Sequence, residues 1–155
     1  MTKEEFVQNV SAAEKSLYRV AKSILKDDED CADAIQSAIL HAFDKRNTLK
    51  QEKYFCTWLI RILINECYQV LRKKQAEVSY EEYMGNAESF PAHSEVYEAL
   101  MELEELYRIP FVLHYIEGYS TKEIAKILTI SLSNVKIRLQ RARIKLQDIL
   151  KGDQL

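Results

Sequence analysis

Chain breakers are scarce in this protein, with three glycines and two prolines among 155 residues. An all-β fold needs a turn about every 8 to 12 residues, so that class is excluded and a helical chain is expected. Cysteine is equally scarce. Cys31, Cys56 and Cys67 are odd in number and form no C-x-x-C pair, which excludes a disulfide framework and a zinc knuckle and reads as reduced thiols. His41, His93 and His114 are widely scattered, so no metal site is expected. Long apolar runs are also missing. The longest stretch without Asp, Glu, Lys or Arg runs from Ala34 to Phe43, short of the about 20 residues that span a bilayer. The opening Met1-Thr2-Lys3-Glu4-Glu5 has no signal-peptide character. A cytoplasmic protein with no membrane insertion is expected. No glycine-rich phosphate loop, Cys/His nucleophile pair or metal-ligand cluster is present, and the acidic residues fall at helix starts, on solvated faces or in a linker. The chain therefore reads as a protein that is not an enzyme and takes no cofactor.

What is present is an ordinary globular balance of 47% hydrophobic and 30% charged residues, enough for one domain or two small ones. The net charge of −2 hides a division. Residues 1–74 carry 13 basic and 11 acidic side chains, residues 75–95 carry none and five, and residues 96–155 carry nine and eight. The middle segment also holds Gly85 and Pro91 and has no helical stripe, as a linker would. The expected fold is all-α: two small helical domains, 1–74 and 96–155, joined by a flexible acidic linker.

In the first module Thr2-x-x-Glu5 has the form of a capping box, and Leu17, Val20, Ala21 and Ile24 predict a helix over about residues 11–26. A break at Asp27-Asp28 precedes a helix over about 29–46, with acidic residues where the dipole favours them and an apolar face of Ala34, Ile35, Ala38, Ile39, Ala42 and Phe43. The polar loop Asn47 to Lys53 leads to a helix over about 54–75 that buries Phe55, Leu59, Ile62, Leu63 and Val70 and ends in Arg72-Lys73-Lys74. That triplet reads equally as a dipole-matched helix end. Phe55 and Trp58 read as core, and Tyr54 as the better candidate for stacking on a base. In the second module a helix over about 94–103 precedes one running to Glu117, with Gly118 as a left-handed cap. Pro110 should kink that helix or delay its start.

Tyr119 to Gln147 is the most informative stretch. Ser120 or Thr121 can cap a short helix burying Ile124, Ala125 and Leu128, and Ile130 would plug the turn that follows. Ser131 or Ser133 then caps a second helix in which Val135, Leu139, Ala142 and Leu146 make one stripe. This is helix-turn-helix spacing. The opposite face holds Ser133, Ile137, Gln140 and Arg141, with Asn134 and Lys136 nearer its edges and Arg138, Arg143 and Lys145 farther round. Five cations and no anion lie between Lys136 and Lys145. Such a helix can enter a major groove while its flanks hold phosphates, with Arg141 suited to guanine and Gln140 to adenine.

These residues resemble a family. Phe111-Val112-Leu113, Glu117-Gly118-Tyr119-Ser120, Glu123-Ile124-Ala125 and Val135-Lys136-Ile137-Arg138-Leu139-Gln140-Arg141-Ala142-Arg143 are similar to region 4 of extracytoplasmic-function (ECF) sigma factors of the sigma-70 family. Asp30-Cys31-Ala32-Asp33-Ala34-Ile35-Gln36-Ser37 and Phe55-Cys56-Thr57-Trp58-Leu59-Ile60-Arg61-Ile62-Leu63-Ile64-Asn65 are similar to region 2. The resemblance implies a transcription initiation factor that binds core RNA polymerase, through its clamp helices and flap, and directs it to promoter DNA. Region 4 would read the minus-thirty-five element through Ser133, Asn134, Lys136, Ile137, Gln140 and Arg141, with Arg138 and Arg143 mainly on phosphates. Region 2 would open the minus-ten element through Lys50, Lys53, Tyr54, Asn65, Arg72 and Lys73, since capturing a flipped base needs a snug polar pocket with cations nearby. Asp30, Asp33, Gln36 and Ser37 would contact polymerase, and an anti-sigma factor is an expected partner. The linker carboxylates either mimic nucleic acid in the polymerase channel or form an ordinary soluble tether.

The sequence departs from the family's usual wording at four places. Ser37 stands for a glutamate, Ser133-Asn134 for Gly-Thr and Ile137 for a serine, while Thr129 occupies a turn position that favours residues tolerant of positive φ. Two rival readings remain open on the residues alone: a stand-alone helix-turn-helix regulator, and a helical polymerase-binding protein without promoter-opening activity.

Overall fold

The computed structural model describes residues 1–77 and 95–152, and most of the acidic segment 75–95 lies outside them. Every regular element among the described residues is helical. They fall into two compact units, one within Met1–Phe90 and the other within Pro91–Leu155.

The first unit packs three helices against one another: α1 (Lys3–Ile24), α2 (Asp28–Asp44) and α3 (Phe55–Glu77). Helix α1 starts eight residues earlier than its apolar stripe predicts. Thr2 caps it, its hydroxyl accepting from the Glu5 N–H at 3.1 Å. Phe6 extends the stripe backward and is buried against Phe43 and Phe55, with ring centroids 5.4 and 5.9 Å away in edge-on geometry. Asp27 caps α2, accepting from the Asp30 N–H at 3.2 Å. The buried face of α2 is Cys31, Ala34, Ala38 and Ala42, small side chains that let α1 and α3 approach closely; Ile35, Ile39 and Phe43 are half-buried at its margins. Helix α3 buries Phe55, Leu59, Ile60, Leu63, Ile64 and Cys67, while Ile62 and Val70, expected in the stripe, are half-buried, because the helix packs on both neighbours. Each fully buried aliphatic side chain here is worth about 1.5–3 kcal/mol. Two short 3₁₀ turns, Arg46–Thr48 and Glu52–Tyr54, make up most of the loop into α3.

Two buried ions hold the connections. The Lys22 ammonium ion-pairs with Asp28, joining the end of α1 to the start of α2. Tyr18 donates to the same carboxylate at 2.8 Å. In the second unit the buried Arg108 guanidinium donates to the Leu103 and Met101 carbonyls at 2.7 and 3.4 Å. A cation there satisfies carbonyls left without intrahelical partners.

The second unit comprises α4 (Glu95–Glu102), α5 (Glu105–Phe111), a π turn (Val112–Ile116), α6 (Thr121–Leu128) and α7 (Leu132–Gly152). Leu100, Leu103 and Val112 form a buried cluster with Phe111, Leu146 and Ile149 against it. Pro110 sits inside α5 and neither delays its start nor ends it at once. It has no N–H to give the Leu106 carbonyl, and within two residues the ladder widens, the Glu117 N–H bonding the Val112 carbonyl at 2.9 Å. Gly118 then turns the chain at φ +81°, as its position predicts.

Candidate nucleic-acid interface

The helix-turn-helix is built from caps. Ser120 and Glu123 form a reciprocal capping box at the start of α6, with bonds of 2.8 and 3.1 Å. Ile124 and Ile127 are buried, whereas Ala125 and Leu128 are half-buried. Thr129 takes the left-handed conformation at φ 58°, ψ 50° without being glycine. The Ile130 N–H then bonds the Ala125 carbonyl at 3.0 Å, closing the turn. Of the two candidate caps for α7, Ser131 is the one used, its hydroxyl accepting from the Asn134 N–H at 3.1 Å.

Helix α7 buries Val135, Leu139 and Ala142 and half-buries Leu146. Its opposite face exposes Ser133, Lys136, Ile137, Gln140 and Arg141, while Asn134 and Arg138 are half-buried at the margins. Ile137 is 45% exposed and Ile144, which the sequence reading passed over, is 53% exposed. Seven residues apart, they share the outward face. The flanking Arg143 donates to the Tyr115 hydroxyl at 2.5 Å, and the Lys145 ammonium lies 5.3 Å from the centroid of the Tyr107 ring. A cationic helix with polar and apolar side chains on its exposed face has the elements needed to hold phosphates and touch base edges.

In the first unit Lys50, Lys53, Tyr54, Asn65, Arg72 and Lys73 are all exposed. The Lys53 ammonium lies 5.1 Å from the Tyr54 ring centroid. Asn65 and Arg72 are seven residues apart on one face of α3, which also carries exposed Arg61 and half-buried Trp58. Phe55 is buried, as expected; Trp58 packs on it at 5.9 Å but keeps an exposed part. Arg61 lies within the quoted motif, and its position four residues before Asn65 was the signal for its place in this stripe. On α2, Asp33 and Gln36 are exposed and Ser37 half-buried. Asp30 is turned to another use, pairing with Lys74 at 2.5 Å and tying the start of α2 to the far end of α3. Leu40, 65% exposed, shares the outer face of α2 with Gln36; its signal was its place outside the buried stripe. His41 pairs with the largely buried Glu66 at 2.5 Å. The Cys31 and Cys67 thiols are each pushed up to about 12, mainly by burial.

Residues 10–77 match the family Sigma-70 region 2, and residues 93–146 match Sigma-70, region 4. The ECF RNA polymerase sigma factor SigM of Mycobacterium tuberculosis is 31% identical over 142 residues, spanning 88% of this chain and 72% of the relative. The chain belongs to the ECF sigma factors of the sigma-70 family. The RNA polymerase sigma factor SigV of Bacillus subtilis is 28% identical over 146 residues, spanning 91% of this chain and 88% of that protein. Among solved structures, the sigma factor RpoE of Bartonella quintana, in complex with the anti-sigma factor NepR, matches with a TM-score of 0.83 and 26% identity over 97% of this chain and 99% of that one. CnrH, in complex with the cytosolic domain of CnrY, matches with a TM-score of 0.77 and 26% identity over 98% and 91%. The ECF sigma role is that of an RNA polymerase sigma factor, a transcription initiation component and not an enzyme. In this ECF sigma chain, no helix among the described residues is long and apolar enough to cross a membrane.

Proposed function

We propose that this sigma factor directs core RNA polymerase to promoters in the cytoplasm by reading two DNA elements. Residues 96–155 act as region 4 and read the minus-thirty-five element, residues 1–74 act as region 2 and open the minus-ten element, and residues 75–95 tether them. The observation that carries this reading is α7, whose outward face combines Gln140, Arg141 and Ile137 with flanking cations opposite the buried Val135, Leu139 and Ala142. Arg141 pairs with guanine, and Ile137 meets a thymine methyl. In region 2, Lys50, Lys53, Tyr54, Asn65, Arg72 and Lys73, joined by Arg61, hold the unpaired strand. Asp33, Gln36 and Ser37, with Leu40 beside them, dock on the polymerase clamp helices, while Asp30 supports that surface from its ion pair. Region 4 also meets the flap. An anti-sigma factor is the proposed regulator, since both structural relatives were solved with one or with a cytosolic protein domain bound.

The test is a mixing experiment on promoter duplex mapped from transcript starts after overexpression. The free protein should bind that duplex weakly, and addition of purified core polymerase should tighten binding by about a thousand-fold or more, the scale that separates specific from non-specific binding. Equally tight binding by the isolated protein, on a two-fold symmetric site, would instead establish a stand-alone regulator.

A further inference from the structure

The π turn has a direct contact with the recognition helix. Tyr115 lies within it, and its hydroxyl accepts from the Arg143 guanidinium at 2.5 Å across 28 residues of sequence. The ring that carries this hydroxyl contacts two others. Phe111 lies 4.8 Å away in tilted contact, and His114 lies 4.7 Å away edge-on. His114 is fixed in turn, its Nδ1 donating to the Tyr119 carbonyl at 2.8 Å. Tyr115 is therefore an exposed side chain whose ring contacts two neighbouring rings and whose polar end meets one cation of α7.

The geometry of α7 gives that contact a purpose. At 3.6 residues per turn, Arg143 and Lys145 project roughly 70–90° to either side of the buried stripe, on opposite flanks of the outward face. Tyr107 in α5 lies against Lys145, and Tyr115 in the π turn lies against Arg143. An arginine on a helix surface otherwise samples many rotamers, and ordering such a side chain on DNA costs conformational entropy. The Tyr115 hydroxyl takes one N–H of a planar fork that has five, leaving the others to meet phosphate oxygens.

We propose that Tyr115 is a positioning residue for promoter binding, presetting the Arg143 guanidinium to grip a backbone phosphate beside the minus-thirty-five element. Pro110 and the π turn after it belong to the same device, because they set the register at which Tyr115 reaches α7. The inference rests on the region 4 reading above.

The test uses holoenzyme assembled from the full chain and purified core polymerase, with the mapped promoter duplex as probe and affinity measured across salt concentration. Arg143→Ala should reduce the steepness of the log–log salt dependence by about 0.9, the contribution of one phosphate on B-DNA. Tyr115→Phe should weaken binding about five-fold, in line with the loss of one hydrogen bond, and make the dependence shallower in the same direction. The double variant should bind no more weakly than Arg143→Ala alone. The unfolding midpoint of Tyr115→Phe should match the parent protein. Parental affinity and salt dependence in Tyr115→Phe, or an effect that adds in full to Arg143→Ala, would overturn the proposal. So would a lowered midpoint with a parental salt dependence, which would mark a packing role. If Arg141→Ala and Arg143→Ala both bind as the parent does, the DNA-interface reading itself falls and this inference falls with it; weakening by Arg143→Ala without weakening by Tyr115→Phe overturns this inference alone.

Discussion

The junction between α1 and α2 rests on three side chains. The carboxyl of Asp28 is held below its ordinary 3.8, first by the Lys22 hydrogen bond and then by that of Tyr18. The Tyr18 phenol is raised from 10.0 to about 12, chiefly because it donates to the same carboxylate. The two shifts act at opposite ends of the pH scale. Because the folded state favours the Asp28 carboxylate, its contribution is present above the ordinary carboxyl range and is lost as pH falls through it. Because the folded state favours the protonated phenol, the Tyr18 contribution is present below pH 10.0 and is lost as pH climbs toward about 12. Tyr18→Phe should therefore lower the unfolding midpoint of the first unit by an amount that stays constant between about pH 5 and 9 and disappears between about 10 and 12. Thermal unfolding of both proteins across that range checks it; a gap that persists undiminished at high pH would contradict the hydrogen bond. None of this was legible in sequence, where Lys22 and Asp28 each look like ordinary surface charges six residues apart. The cysteines were legible as thiols, because an odd count without paired spacing leaves little alternative, and Cys31 and Cys67 are indeed free and buried.

Among the elements, α6 and α7 were the most legible. Caps and turn lie where the sequence puts them, and Val135, Leu139 and Ala142 are buried as their spacing requires, although α6 buries Ile127 and only half-buries Ala125 and Leu128. The start of α1 was written in its Thr2 cap, but the backward reach of its apolar stripe was not legible, because Phe6 is buried by Phe43 and Phe55 from other helices, a tertiary fact that periodicity does not contain. Pro110 was legible as a disturbance but not in kind, since the choice between kink, late start and π turn depends on how the buried Ile109 and Leu113 pack. The outward face of α7 was read residue by residue, whereas the Tyr115 contact to Arg143 joins positions too distant for any helical pattern to connect. Two turns set the geometry of this unit by positive φ. A Cβ at Gly118 would meet nothing within 4 Å, so Gly118→Ala should cost only the backbone term, about 1 kcal/mol. Thr129 is the reverse case, a β-branched residue at φ 58°, and Thr129→Gly should leave stability unchanged or raise it by up to about 1 kcal/mol. Chemical denaturation of the two variants checks the pair. A stabilising Gly118→Ala or a strongly destabilising Thr129→Gly would contradict the turn geometry.

The molecule carries two units of one transcription factor family, each with its own buried core and a helix that exposes cations. Near-neutral net charge conceals this, because the acidic segment between the modules cancels the cations that α3 and α7 expose. An isolated unit has a small cationic surface, and phosphate contacts alone give only weak, salt-sensitive binding. On the proposed function, polymerase supplies what the chain lacks, by joining both contacts in one complex so that their free energies combine. Run-off transcription with purified core polymerase shows whether the chain turns that polymerase into a promoter-specific enzyme. The account predicts a discrete transcript from the mapped promoter that core alone does not make, reduced about ten-fold or more by Arg141→Ala on the loss of one base contact. Stable binding to core polymerase with no transcript beyond that of core alone would contradict it.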